Sequence, residues 1–291
     1  MTGACVATAL VPGPWAVAPR RERFVERWSW AMGQAVHVMV FADSEDRGLE
    51  ACAAALAELR RVEDRLSLFA DKSDLCELNR CAGKRPMHVD DDLRNALQAA
   101  EGFRRVTRGA FDPAVEPLMR TWGFHRPRQT APSTAEIAEA REAVIAAVVR
   151  LDRNTVSLPS AHTQLDFGGI GVGYGIDRAI AVLRAHGIRR GFIDVSGDCY
   201  GMGAPLGHPE GWPVGIAGTS KTVYLRDTAL ATSSNTVSVI RLQGKLAGHI
   251  MNPATGYPAD MLRQVTMVAP TASAADALST GALVSGAPSN A

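Results

Sequence analysis

Five glycines fall within the eight residues Gly168-Gly169-Ile170-Gly171-Val172-Gly173-Tyr174-Gly175, and this segment constrains the chain more than any other. Glycine lacks a Cβ, so such a run lets backbone pass close to a ligand and point its N–H groups at phosphate. A dinucleotide-binding turn needs G-x-G-x-x-G, and no register supplies it. Counted from Gly169 the sixth residue is Tyr174, and from Gly171 it is Ile176. A phosphate-facing backbone of another kind and a plain tight turn between strand and helix both remain open.

Around this segment helical and strand-like patterns alternate. Residues 36–42 (VHVMVFA) read as a buried strand, and residues 47–66 place Leu49, Cys52, Ala53, Leu56, Leu59, Val62 and Leu66 at helical spacing. A second helix is predicted over 91–106, opened by Asp90-Asp91-Asp92, and a third over 133–147, where Ser133 and Glu136 are placed as a capping box. Short strands follow at 148–151 and 155–158. The stretch 165–198 reads as strand, glycine-rich turn, helix ending at Gly187, and strand. From 213 to 269 the segments PVGIAG, TVYLRDTALAT, TVSVIRL and QVTMVAP are strand-like, with a hairpin turn at Gln243-Gly244-Lys245. Residues 273–285 form a last helix. Helices mixed with largely antiparallel strands give an α+β fold.

Charge and cysteine usage narrow the function classes. Lys+Arg and Asp+Glu number 31 and 30, so the net charge of +1 leaves no electrostatic footprint for nucleic acid. Five cysteines form no C-x-x-C pair, which argues against a zinc site or a disulfide framework. No run reaches the roughly 18 apolar residues of a membrane span. Residues 4–18 are apolar, but no basic residue precedes them and Pro12-Gly13-Pro14 interrupts them. Residues 1–30 are therefore expected to be a loosely ordered N-terminal extension to one domain over 31–291. The lack of a signal sequence favours the cytoplasm, with export left open.

Two further segments can carry chemistry. Asp276 and Thr280 are four apart in the last helix and share a face. A carboxylate and a hydroxyl are hard oxygen ligands suited to Mg²⁺, although the same spacing also fits a solvated helix face. His249 ends a strand and enters the Pro/Gly turn Asn252-Pro253-Ala254-Thr255-Gly256, where a histidine can serve as a proton acceptor or simply pack. The same duality applies to Ala110-Phe111-Asp112-Pro113.

Taken in order, these segments resemble the FAD:protein FMN transferase family, the ApbE-like flavin transferases. The resemblance runs from about Met32 to Gly286. It is carried by Ala31-Met32-Gly33, Arg65-Leu66-Ser67-Leu68-Phe69, Leu78-Asn79, Gly109 to Pro113, Trp122-Gly123-Phe124, Leu165 to Ile170, Gly173-Tyr174 with Asp177, Gly197-Asp198, Ala231-Thr232-Ser233, the His249 turn, and Ala275 to Thr280. It implies an ApbE-like (T-fold-like) architecture and an Mg²⁺-dependent transferase that cleaves FAD. Such an enzyme attaches FMN through a phosphoester to a Ser or Thr of an acceptor protein and releases AMP. By position, Met32, Phe69, Ala110, Phe111, Asp112, Asp166 and Ile250 would contact FAD. Asp276, Thr280 and the Gly169 carbonyl would hold Mg²⁺, and His249 would activate the acceptor hydroxyl.

The sequence also departs from the family pattern. Val172 stands where a lysine is usual, Asn252 for an aspartate, Gln34 for a threonine, Phe69 for a tyrosine and Ser196 for a glycine. Typical members continue beyond the position of Ala291 through a helix and a strand, which this chain is expected to lack. These departures favour one alternative, a flavin binder or carrier without catalysis; a second, a pyrophosphatase that splits FAD into FMN and AMP, would use the same site with water as acceptor.

Overall fold

The valine-rich run at 36–42 lies inside a strand, Gln34–Ala42, that is buried along most of its length. It occupies an inner position of the main sheet because both of its faces are covered. The structure is a computed structural model that describes residues 9–10, 22–236, 238–259 and 264–286. The first elements are β1 (Ala9–Leu10), β2 (Arg23–Ala31), β3 (Gln34–Ala42), α1 (Glu45–Leu66), α2 (Asp74–Cys81), β4 (Met87–His88), α3 (Asp91–Val106), α4 (Glu116–Trp122) and α5 (Thr134–Ile145). Then come β5 (Arg150–Leu151), β6 (Thr155–Ser157), α6 (Gly171–Ala185), β7 (Arg190–Val195), β8 (Asp198–Met202), β9 (Trp212–Gly215) and β10 (Thr222–Leu225). The last are β11 (Thr228–Ser234), β12 (Val239–Leu242), β13 (Lys245–Gly248), β14 (Gln264–Ala269) and α7 (Ala272–Ser285).

Six strands form the main sheet in the order β14-β11-β8-β7-β3-β2, each pair antiparallel. On one face α1, α6 and the start of α7 bury Val36, Val38, Leu59, Ile176, Ile180 and Ile193 in a continuous core. The opposite face meets β9 and β10, where Trp212 packs with Phe41 and Phe192. A second core joins the end of α1 to α2, α3 and the segment before α6, through Leu75, Leu78, Leu97, Leu165 and Phe167. The fold is α+β with largely antiparallel sheets, and among the described residues no helix is long and apolar enough to cross a membrane.

Four expectations need correction. Residues 23–30, assigned to the loose extension, belong to β2, which pairs along its whole length with β3; the rest of that extension lies almost wholly outside the described residues. The segment before the glycines forms no strand, and Gly171, Gly173 and Gly175 are helical residues of α6 rather than a turn. TVYLRDTALAT is two strands of different sheets, β10 and β11, with Asp227 at φ 53° in the break between them. The solvated-face reading of Asp276 fails, since α7 is packed on several sides and Asp276 is only 6% exposed. The hairpin turn holds, with Gln243 and Gly244 both in the left-handed region that such two-residue turns require.

The glycines of α6 answer a packing demand. A Cβ on Gly173 would lie 2.3 Å from the Ala272 carbonyl oxygen and 2.7 Å from the Ser273 nitrogen, so α6 and α7 touch backbone to backbone. Asp177, one turn further along α6, caps the start of α7. Its carboxylate accepts the Ala272 N–H at 2.7 Å and the Ser273 N–H at 3.0 Å, and it also binds the Ser273 hydroxyl. A side chain of one helix thereby satisfies the unpaired N–H groups of the next. The two helices form one interlocked unit.

Candidate active-site cleft

A cleft of about 1160 Å³, its open mouth included, lies where the start of α6 meets α7, the ends of β7 and β11, the start of β8 and two loops. Of the predicted residues, Ala110, Phe111, Asp112, Asp166, Gly169, His249, Ile250, Asp276 and Thr280 line it. Met32 and Phe69 do not. Met32 occupies the β2–β3 turn with φ 57°, donates its N–H to Glu63 Oε2 at 2.8 Å, and packs its side chain behind the start of α6, near Gly175. Phe69 is 84% exposed on the α1–α2 loop, with its ring edge-on to His125.

Local chemistry places each lining segment. After α3, the Thr107 hydroxyl bonds back to the Phe103 carbonyl and accepts the Phe111 N–H at 3.1 Å, while Arg108 and Gly109 turn the chain at positive φ. This presents Phe111 and Asp112 to the cleft. Arg104 Nε holds Asp112 at 2.9 Å and the Ala114 N–H donates to it, against a burial that pushes its carboxyl upward.

Two buried asparagines act as backbone surrogates beside site residues. Asn79 accepts the Leu165 N–H at 2.8 Å and donates to the Leu165 carbonyl at 2.9 Å, anchoring the chain just ahead of Asp166. Asn235 accepts the Ile250 N–H at 2.7 Å and donates to the Ile250 and Ala259 carbonyls, which fixes the turn that follows His249. Asn252, which stands where an aspartate is usual, holds its own turn: its Oδ1 accepts the Ala254 and Thr255 N–H groups at 2.9 and 3.2 Å. Ser196 takes φ 50°, where a glycine would sit at less cost. Val172 also lines the cleft, and it brings no charge.

The electrostatics centre on acidic groups. Asp276 receives the Gly173 N–H at 3.1 Å, and burial, then Asp198, raise its carboxyl well above the ordinary range. Asp198 accepts the Thr232 N–H at 3.1 Å, and burial pushes it up to about 7. No cationic side chain among the described residues offsets either group. Next to Asp276, Ser233 Oγ lies 3.0 Å from Thr280 Oγ1 and 2.7 Å from Ser279 Oγ, a hydroxyl chain that orients Thr280. Gly169 belongs to the same cluster, since a Cβ there would stand 3.1 Å from Thr280 Oγ1.

These residues fit a hard divalent cation: carboxylate, hydroxyl and backbone carbonyl are oxygen donors, and uncompensated buried carboxylates favour positive charge. Among the described residues no cluster of three or more His, Cys, Asp or Glu side chains forms a metal cage.

His249 is half-buried, and its Nδ1 has no hydrogen-bond partner among the described residues. Burial lowers its pKa, against the opposing pull of the Ser238 backbone and Asp166. Asp198 and Ser233 line the cleft without having been expected there, and His125 stands behind it. Asp198 was visible as a carboxylate opening an otherwise apolar strand, Asp198-Cys199-Tyr200-Gly201-Met202. His125 directly follows Trp122-Gly123-Phe124.

The profile of the ApbE family matches residues 32–290. The chain belongs to the ApbE family. Among curated ApbE-family relatives, the FAD:protein FMN transferase of Treponema pallidum (strain Nichols) is 32% identical over 259 residues, spanning 80% of this chain and 72% of the relative. The protein of the same name from Haemophilus influenzae is 28% identical over 248 residues, spanning 79% and 71%. The crystal structure of the ApbE protein of Thermotoga maritima superposes with a TM-score of 0.82 at 28% identity, covering 92% of this chain and 88% of that one. The apo flavinyl transferase ApbE of Pseudomonas stutzeri shares the fold, with a TM-score of 0.79 at 24% identity, over 90% of this chain and 85% of its own.

Proposed function

We propose that this ApbE-family cleft cleaves FAD and passes its FMN half to a Ser or Thr hydroxyl of an acceptor protein in an Mg²⁺-dependent reaction. The observation that carries the reading is the meeting of His249 with the uncompensated Asp198–Asp276 pair in a single cleft. Relatives named FAD:protein FMN transferase support it. Asp276, Thr280 and the Gly169 carbonyl would hold Mg²⁺, which when bound supplies positive charge for pyrophosphate oxygens.

The protein's own groups then have separate tasks. His249, kept neutral by burial, accepts the proton of the acceptor hydroxyl. A bond forms from that oxygen to the phosphorus of the FMN half, the pyrophosphate P–O bond breaks, and AMP departs. Phe111, Asp112, Asp166 and Ile250 bind and orient FAD along the cleft. Asn235 and Asn252 hold the turn that carries His249.

Mass spectrometry of an acceptor peptide incubated with protein, FAD and Mg²⁺ tests the reading. A gain of one FMN on a Ser or Thr is the expected result. Release of AMP without that gain replaces transfer by hydrolysis, and intact bound FAD leaves a carrier; either overturns the proposal. The pH profile is a further check on His249. Its pKa lies below the ordinary 6.5, so the rate at saturating substrates is expected to rise through a pKa under that value and stay level above it. A rate that falls across this window removes neutral His249 as the base.

A further inference from the structure

His125 sits just past α4 between two carboxylates. Its Nδ1 lies 3.8 Å from Glu116 Oε1 and its Nε2 3.6 Å from Asp166 Oδ2. The three side chains are 16%, 10% and 11% exposed, so water screens them little. Glu116 Oε2 is buried without a hydrogen-bond partner, with Arg120 Nη2 3.5 Å away. Asp166 lines the cleft, whereas Glu116 and His125 stand behind it. On its other side the His125 ring meets the edge of Phe69, with centroids 5.7 Å apart and planes at 90°.

A neutral imidazole has one N–H and can serve one carboxylate; an imidazolium has two and serves both. Two shielded carboxylates about one ring repel each other unless a cation lies between them. The arrangement therefore selects the charged ring.

We propose that His125 is a positioning residue: its imidazolium ties Glu116 to Asp166 and so fixes the Asp166 carboxylate in the cleft that takes FAD. The FAD part rests on the proposed function; the clamp itself does not. The charged groups facing the ring are Glu116 and Arg120 of α4 and Asp166 of the segment before α6, while His249 acts on Asp166 from the turn after β13. Burial opposes charge on the ring, and Glu116 and Asp166 together overcome it, holding His125 above its ordinary pKa. The clamp is therefore complete at low pH and released as pH rises through that raised value.

Two measurements test this. The first follows the His125 ring by NMR in FAD-free protein from about pH 5 to 8.5, in the parent and in Glu116→Gln. The expected midpoint is above 6.5 in the parent and lower in Glu116→Gln. A parent midpoint at or below 6.5 overturns the clamp. The second measures FAD affinity by flavin fluorescence across the same range.

His125→Gln is expected to weaken FAD binding about tenfold at low pH while the transfer rate at saturating FAD stays within about twofold. The parent should lose affinity as the ring deprotonates, and His125→Gln should lack that step; His249 and the other titrating groups are common to both proteins. Equal affinity and an equal pH step in the two proteins overturn the positioning role. If the parent fails to bind FAD at all, the proposed function falls and the NMR titration alone decides the clamp. Should His125→Gln not fold, Glu116→Gln takes its place, with the same loss of affinity expected.

Discussion

Asp276→Asn is expected to yield a protein that is more stable than the parent without metal and has lost transfer activity. Asparagine keeps an oxygen for the Gly173 N–H, so the contact between α6 and α7 survives. What disappears is a buried carboxyl whose pKa is raised by desolvation and then by Asp198. The sign follows from linkage. A carboxyl with a raised folded pKa weakens the fold as pH climbs above its unfolded value of about 3.9, and the penalty is complete above the folded pKa.

At pH 8 the substitution should therefore stabilise metal-free protein by on the order of 1 kcal/mol or more, measured by urea unfolding with EDTA. With Mg²⁺ in place of EDTA, the proposed metal site predicts a gain in stability for the parent and a smaller gain for Asp276→Asn in parallel urea titrations. Transfer should fall by about a thousandfold or more, because the carboxylate that would hold the metal is gone. Undiminished transfer would remove Asp276 from the site, and a less stable variant would show that its charge is already compensated in the fold.

Gly173→Ala has the larger expected effect on folding. Its new methyl must displace the Ala272 carbonyl and the Ser273 nitrogen, and both are backbone atoms of α7. Helices α6 and α7 would have to part, straining the Gly173–Asp276 hydrogen bond and the Asp177 cap together. A loss of about 3 kcal/mol or more is expected in urea unfolding. Gly171→Ala is the matched control, because its methyl meets nothing closer than Phe167 Cβ at 3.7 Å and alanine favours helix. Equal stability of the two variants would refute the interlock.

Where the sequence was legible, one physical signal dominated. The apolar spacing of α1 and the capping box of α5 were local, and the structure places those elements close to the predicted bounds. Strand β2 was hidden because the large apolar residues of RFVERWSWA, Phe24, Trp28 and Trp30, share the more exposed face, with Trp28 and Trp30 about two-thirds exposed, while the opposite face buries only the smaller Val25 and Ala31. Helix α2, at eight residues, and α4, at seven with a proline in its first turn, offer too few turns for a period to stand out. The glycines of α6 were misread for a specific reason: glycine signals a turn locally, while the demand it meets here comes from Ala272, about a hundred residues away.

The same distance effect governed the site. Asp276, Thr280 and His249 were recognisable through their family context, and the structure brings them to one cleft. Asp198 gave only a local hint as a carboxylate opening an apolar strand, and the link from Glu116 and His125 to Asp166 depends on burial and on a neighbour remote in sequence. Met32 and Phe69 were expected at the cleft, yet one is taken up by the packing behind α6 and the other stands at the surface beside His125.

The lodging of α7 against both the sheet and α6 also sets when the cleft comes into being. Gln34 and Thr280 line the same space although nearly the whole chain separates them. Strands β2, β3, β7 and β8 can pair before α7 has been synthesised, but Asp276 and Thr280 cannot reach Gly169 until that helix docks. Contacts so distant in sequence form late, because closing the intervening chain carries a large entropic penalty. On the ribosome Asp198 and Asp276 therefore stay apart until α7 has emerged and docked.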